Sequence, residues 1–286
     1  MKEKIREKDF SKKELPKNRR ELFRDILFNH TSTLINTSLL TALFALPFII
    51  IFAVFYAMLV MASNNQEPFN VLFSLLFYGC LSATPALILA LVGLSGAYGV
   101  AKRLVWGEGV MLKIHFFSAL KSDFKKTIII SALIALSSFL LVVGGVYLSI
   151  FYVSAPIPTG IGIGLLVVQF LLMTMTGCYF YAYQPVYQNT FGQTFKNSFL
   201  IATARLPFTM LFYLISPCII VVLTFVHYIA SFIALFLFVL FSFGGVVLWT
   251  LLAHSSFDRF INAEHYPAYV RRGLYTPNSK KEEEVG

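Results

Sequence analysis

Charged side chains are scarce in this 286-residue chain: Asp, Glu, Lys and Arg together supply 13% of it. A water-soluble domain usually carries about 25%. So little charge excludes a soluble globular enzyme, and 57% hydrophobic residues exclude a disordered tail protein. Cysteine is scarcer still. Cys80, Cys178 and Cys218 are odd in number and widely separated, which excludes a disulfide scaffold and offers no metal-ligand spacing. A Gly-rich phosphate loop, a His-Glu-x-x-His pattern and a nucleophile elbow are all missing. No catalytic residue and no cofactor is therefore expected.

The charge that exists avoids four stretches: Thr31–Gln66, Pro68–Ala101, Thr127–Phe195 and Leu206–Phe257 hold no Asp, Glu, Lys or Arg. Each exceeds the roughly 20 residues that cross a ~30 Å hydrocarbon layer. Lipid offers no partner to an open backbone, so such segments must be helical. The reading is an all-α polytopic membrane bundle of six spans in three hairpins, near 36–62, 77–101, 127–152, 160–183, 208–226 and 230–253. Gln66-Glu67-Pro68 separates the first two spans, and Pro156–Gly160 supplies the turn inside the third stretch. The turn inside the fourth is expected near Thr224–Ser231, where His227 and Tyr228 interrupt the aliphatic run. The path of residues 63–80 stays open: Phe69–Tyr78 either lie in the outer interface or join a helix bent at Pro85. Residues 1–30 form a basic N-terminal arm, 31–257 the membrane domain and 258–286 a tail.

A formal net charge of +9 raises a nucleic-acid partner, but its distribution argues for topology instead. Ten Lys/Arg lie in Met1–His30, six in Lys102–Lys126, two at Lys196 and Arg205, and five after Phe257. Six spans put all 23 on one side, leaving Glu67 as the single charge in the opposite loops. Positive charge marks the inner side, so a cell-membrane protein with both termini cytoplasmic is expected, and no nucleic acid. The first apolar run is longer than the roughly 7–15 residues of a signal-peptide core, so no cleavable leader is expected.

Three polar–apolar stretches border the spans. Glu21–His30 carries Leu22, Phe23, Ile26 and Leu27; Val110–Lys126 carries Phe116, Phe117, Leu120 and Phe124 on one face beside Lys121 and Lys125. Thr190–Arg205 carries Phe191, Phe195, Phe199 and Leu200 beside Lys196. These suit helices lying in the inner interface with lysines toward lipid phosphates; plain extensions of the spans are the alternative. Lys121, Lys125 and Lys196 are candidate contacts to lipid or a partner. Glu108, between Gly107 and Gly109, is expected to start the next helix, and Trp106 to anchor span two at the interface.

Tyr179, Tyr183 and Tyr187 form a stripe at the inner end of span four, with Gln184 beside them. The stripe reads as an interfacial aromatic belt or as a surface for a partner or solute, since aromatic and amide groups suit neutral sugars. The pairs Gly144-Gly145 and Gly244-Gly245 either pack helices closely or bend them. His254 and Asp258 share a helix face at i, i+4, with His265 nearby, but the set lacks a recognised zinc spacing.

Several runs together carry a likeness. They are Leu39-Leu40-Thr41-Ala42-Leu43-Phe44-Ala45-Leu46-Pro47, the segment Gly99-Val100-Ala101-Lys102-Arg103-Leu104-Val105-Trp106-Gly107-Glu108-Gly109, Phe116–Lys125, and Phe195–Ala202 followed by Leu206-Pro207. Their order and spacing resemble the YesL-like family of integral membrane proteins from Gram-positive bacteria, over roughly Ile35–Asn262. The stretch between Pro47 and Ala83 is longer here than in typical members. The resemblance implies a helical membrane protein without an established biochemical activity, encoded beside ABC-type sugar transporters. It supplies no catalytic residues. What it implies is a non-enzymatic accessory or regulatory component of carbohydrate uptake, with the lipid bilayer and sugar ABC transporter subunits as partners. The alternative is a transporter in its own right for a neutral or weakly polar solute such as an oligosaccharide, motivated by the repeated double glycines.

The charge map makes a direct prediction. Reporter tags at either chain end, or within Lys102–Lys126, will report the cytoplasm, and a tag at Gln66 the exterior. An external signal from either end overturns the map.

Overall fold

A computed structural model describes residues 16–151, 155–211 and 228–275. Every regular element among these residues is a helix. Among the described residues four helical segments are long and apolar enough to cross a membrane: Thr31–Asn64, Phe69–Val105, Phe124–Ile150 and Pro156–Tyr183.

Helix α1, Arg19–Asn29, starts where the Asn18 side chain accepts the backbone N–H of Glu21 at 2.9 Å, satisfying an amide that the first turn leaves unpaired. It buries Leu22 and Ile26. Helices α2 (Thr31–Asn64) and α3 (Phe69–Val105) contain 34 and 37 residues, about 50 and 55 Å at 1.5 Å per residue. Both exceed the length that crosses a ~30 Å hydrocarbon layer, and Lys102 and Arg103 fall in the last turn of α3. Residues 69–78 therefore belong to α3 and not to a separate interfacial segment. A tight turn with Gln66 at φ 58° joins the two helices, and Pro85 sits inside continuous helix.

The stretch Val110–Lys126 is not one helix. It divides at Asp123 (φ −131°, ψ 32°) into α4, Leu112–Ser122, and α5, Phe124–Phe139. The divide also splits the proposed apolar face. Phe116 and Leu120 are buried, whereas Phe117 and Phe124 are exposed. Asp123 stays bound at the break: Lys126 pairs with its carboxylate at 2.6 Å and Gln184 donates to its backbone carbonyl at 3.1 Å.

After α5 comes a π turn, Leu140–Gly144, and then α6, Gly145–Phe151. Helix α7, Pro156–Tyr183, opens on a proline in its first turn, where the missing N–H would have had no partner. Pro156–Gly160 thus begins a helix instead of forming the turn. Helix α8 is Phe191–Ala204 and α9 is Tyr228–Phe257. Residues 206–211 are helical; most of the fifth expected span, together with Cys218 and the turn residues before Tyr228, lies outside the described residues. A second π turn, Asp258–Asn262, leads to α10, Ala263–His265, and a 3-10 turn, Pro267–Tyr269.

Helix α2 packs along α3, α3 also meets α5 and α9, and α7 meets α5 and α8. Glycine makes the close approaches. A Cβ at Gly96 would lie 2.8 Å from the Phe116 ring, and one at Gly79 would lie 2.9 Å from Phe55. Cβ atoms at Gly93, Gly99 and Gly177 would collide with Phe44, Ala119 and Ile134. Small residues let helix backbones approach in this way. The double glycines do something different. Gly144 and Gly145 sit at the π turn, and a Cβ at Gly145 would meet no described atom within 4 Å. Gly244 only approaches Leu27, at 3.8 Å, within regular helix, and Gly245 likewise meets no described atom.

Substitution separates these two classes. Gly93→Val is expected to destabilise by about 1–3 kcal/mol through overpacking, whereas Gly145→Ala should be neutral or stabilising by up to ~1 kcal/mol. Thermal unfolding in nanodiscs measures both, and equal effects would contradict the assignment.

Candidate functional site at the basic face

The C-terminal ends of α3, α7 and α9 converge with α1 and α8 at the face that carries Arg19, Lys102 and Arg103. The tyrosine stripe ties them together. Tyr179 and Tyr183 occupy the last two turns of α7, Tyr187 follows in the turn beyond, and all three are buried. Burial places the stripe inside the fold and not in an exposed interfacial belt. Each hydroxyl bonds inside the fold instead. Tyr179 shares a hydrogen bond with Thr209 at 3.2 Å, beside Ser256, whose hydroxyl accepts from Arg205 at 2.9 Å. Tyr183 accepts from Asn189 at 2.8 Å and Asn197 at 3.0 Å. Tyr187 donates to Asn262, and its ring lies 4.4 Å from that of Tyr183, centroid to centroid.

Beyond Tyr187 the network becomes ionic. Asn262 donates to Asp258 at 2.8 Å, and Asp258 accepts from Arg19 at 2.5 Å and from the Arg271 backbone at 3.2 Å. Burial pulls the Arg19 guanidinium below its ordinary pKa, while Asp258 raises it. Burial likewise pushes the Tyr187 phenol up, so it serves as a neutral donor. Gln184, expected at the stripe, crosses to α5, where its amide donates to Thr127 at 2.9 Å.

Trp106 is the second centre. Lys102 Nζ lies 3.7 Å from its ring centroid and the Arg272 guanidinium 4.1 Å, while its Nε1–H donates to His254 Nδ1 at 3.2 Å. Cations are drawn to an aromatic face by its quadrupole, by about 0.5–1 kcal/mol each when exposed. Glu108 does not start a helix; it neutralises this cluster, with Lys102, Arg103 and Arg272 at 3.2, 3.4 and 3.5 Å. The segment carrying Arg272 reaches Trp106 through Gly273 at φ +84°, where any Cβ would strike the Val105 carbonyl. Tyr275 then donates its N–H to Pro16 at 2.9 Å, and Arg271 donates to the Lys17 carbonyl at 3.2 Å. The two ends of the described chain are clasped together across the foot of α3.

His254 and Asp258 are thus engaged by Trp106 and Arg19, not by each other. Among the described residues no group of three His, Cys, Asp or Glu is placed to hold a metal. Lys121, Lys125 and Lys196 stay exposed on α4, α5 and α8.

A cavity of about 430 Å³ opens between α7, α8 and the segment after α9, lined by Tyr183, Asn189, Asn197, Leu200, His265 and Tyr266 among others. A capping box sets one of its walls. The Thr190 hydroxyl accepts the Gln193 N–H and the Gln193 side chain accepts the Thr190 N–H, which fixes the start of α8 and so the height of Asn197. Asn189 and Asn197 carry no signal of their own in the sequence, although the first closely follows the tyrosine stripe and the second lies in the stretch Thr190–Arg205.

Comparison with known protein families, curated proteins and solved structures returns no match for this chain.

The clasp grades its own weaknesses. Arg19→Ala takes the paired guanidinium away from Asp258 and should cost about 1.5–3 kcal/mol, the range for charged hydrogen bonds. Arg272→Ala, at the rim, should cost under about 1 kcal/mol. Thermal unfolding ranks the two, and the reverse order would refute the assignment of Arg19 as the inner tie.

Proposed function

We propose that this chain is a six-span protein of the cell membrane, arranged as three hairpins with both termini in the cytoplasm. In this reading it is a non-enzymatic accessory or regulatory component of carbohydrate uptake. The resemblance to the YesL-like family supplies the context, with a sugar ABC transporter as the partner. Within the described spans, glycine seams bring helices into direct contact. The cavity of about 200 Å³ between α2 and α3 is lined by Phe52, Phe55, Leu59, Leu75, Leu76 and Cys80 among others, and such a lining does not suit a polar substrate.

One observation carries the docking part of the proposal. Helix α4 turns Phe116 and Leu120 inward, yet Met111, Ile114 and Phe117 remain 65%, 62% and 42% exposed beside Lys113 and Lys121. An uncovered apolar row edged by lysines fits an interface that is met by lipid headgroups or by another membrane protein.

A second reading, a transporter for a neutral solute, draws on the π turn at Leu140–Gly144. Single π turns inside long helices often mark functional sites. Uptake of oligosaccharides into proteoliposomes, slowed when Gly145 is replaced by Leu, would favour it.

A photocrosslinker placed at Ile114 or Phe117 in cells tests the first reading. The expected product is a covalent adduct with a membrane subunit of a sugar ABC transporter, lost in a Lys113→Glu/Lys121→Glu variant. Adducts with lipid alone would refute the docking role.

A further inference from the structure

We propose that the cavity between α7, α8 and the segment following α9 binds an uncharged, polyhydroxylated group. The inference goes beyond the accessory role and requires no partner protein.

The hydrogen-bond inventory around Tyr183 carries it. Both side-chain amides, of Asn189 and Asn197, donate to the same phenolic oxygen. A phenol oxygen offers acceptor capacity and one O–H donor, so two incoming donors leave its hydrogen to point elsewhere. Among the described residues no acceptor takes that hydrogen, although Tyr183 is only 1% exposed and lines the cavity. A buried hydroxyl without an acceptor costs stability, and an occupant of the cavity would supply one. The two asparagines, having spent an N–H each on Tyr183, keep their carbonyl oxygens as acceptors. The cavity therefore presents one buried donor with two amide acceptors nearby, and His265 is also among its lining residues.

That pattern matches hydroxyl groups, which both donate and accept. It does not match an anion or a cation. None of the lining residues is Lys, Arg, Asp or Glu, and an ionic ligand there would lack a counter-charge. The rest of the lining suits a ring or a carbon skeleton: Leu200, Ile201, Phe260 and Tyr266 give apolar and aromatic surface, against which the C–H face of a sugar can lie. About 430 Å³ falls within the usual range for small-molecule sites, roughly 300–1,000 Å³.

The same chemistry is offered by a soluble sugar or polyol and by the headgroup of a neutral glycolipid. The test distinguishes them. The full-length protein in phosphatidylglycerol nanodiscs is titrated with maltose and with myo-inositol, read by saturation-transfer difference NMR. A parallel set of nanodiscs contains monoglucosyl diacylglycerol, with retention of that lipid read by native mass spectrometry. Two variants report on the cavity: Tyr183→Phe removes the donor, and Leu200→Trp, at a position 52% exposed, fills the space with little threat to folding.

Binding of maltose or myo-inositol, weakened about five- to tenfold by Tyr183→Phe as expected for one lost hydrogen bond and abolished by Leu200→Trp, supports a soluble ligand. Retention of the glycolipid alone, with the same response to the variants, supports a headgroup. Absence of binding by all three probes, or binding that Leu200→Trp leaves unchanged, would overturn the proposal.

Discussion

Charge is excluded from the spans, and most of this structure follows from that exclusion. A Lys, Arg or Asp at the centre of a transmembrane helix costs about 2.5–3.5 kcal/mol even by the mildest measures. Along their charge-free stretches the long helices consequently have no ion pairs with which to choose their neighbours. They select by shape, and the shape is set by missing Cβ atoms at Gly79, Gly93, Gly96, Gly99 and Gly177. Association between such helices rests on close packing, since hydrocarbon and leucine are equally apolar. Directional chemistry is displaced to the helix ends, where Lys102 and Arg103 leave α3 and where Arg19, Asp258 and Arg272 gather.

Crowding cations at one face creates a second problem, because they repel one another. The structure answers with few anions used several times over. Glu108 serves three cations, and Asp258 serves the Arg19 guanidinium, the Arg271 amide and the Asn262 side chain. Two of the cations that Glu108 serves, Lys102 and Arg272, also lie against the Trp106 ring. Arg19 and Asp258 are 239 residues apart in sequence, so the clasp closes nearly the whole chain on itself. Closing a loop that long costs entropy only logarithmically more than closing a short one, which a few part-buried contacts can offset.

The long apolar helices were legible because hydropathy and the absence of charge operate over twenty residues at a time. The amphipathic stretches at α1 and α8 were legible for a similar reason. What the sequence hid was local or long-range. The break at Asp123 depends on one residue's backbone angles and on Gln184, 61 positions away. The extent of α3 back to Phe69 was obscured by Pro85, which a long helix tolerates. Trp106 looked like an interfacial anchor because nothing near it in sequence announces Arg272 or His254. The tyrosine stripe was found at the right residues with the wrong environment: periodicity shows which side chains share a face, whereas burial depends on what that face meets. Lys121, Lys125 and Lys196 lie exposed, as their helical positions allow, and the structure adds no contact that distinguishes them.

The three tyrosines show how depth assigns different work to one side chain. They are spaced four residues apart, about 6 Å of rise per step along a helix, and run from the spans toward the basic face. The innermost, Tyr179, finds only the hydroxyls of Thr209 and Ser256, groups that a hydrocarbon-facing helix can carry at small cost. One turn outward, Tyr183 meets two amides, which need more polar surroundings. The outermost, Tyr187, joins Asn262 and through it the Asp258–Arg19 ion pair. Polarity of the partner rises with each step toward the face. Only the middle tyrosine is left with a donor to spare: deeper, a hydroxyl partner can reciprocate, and farther out a strong acceptor takes the proton side of the bond. The cavity opens at the step between these two regimes, where groups are polar enough to recognise a ligand and not yet consumed by charge.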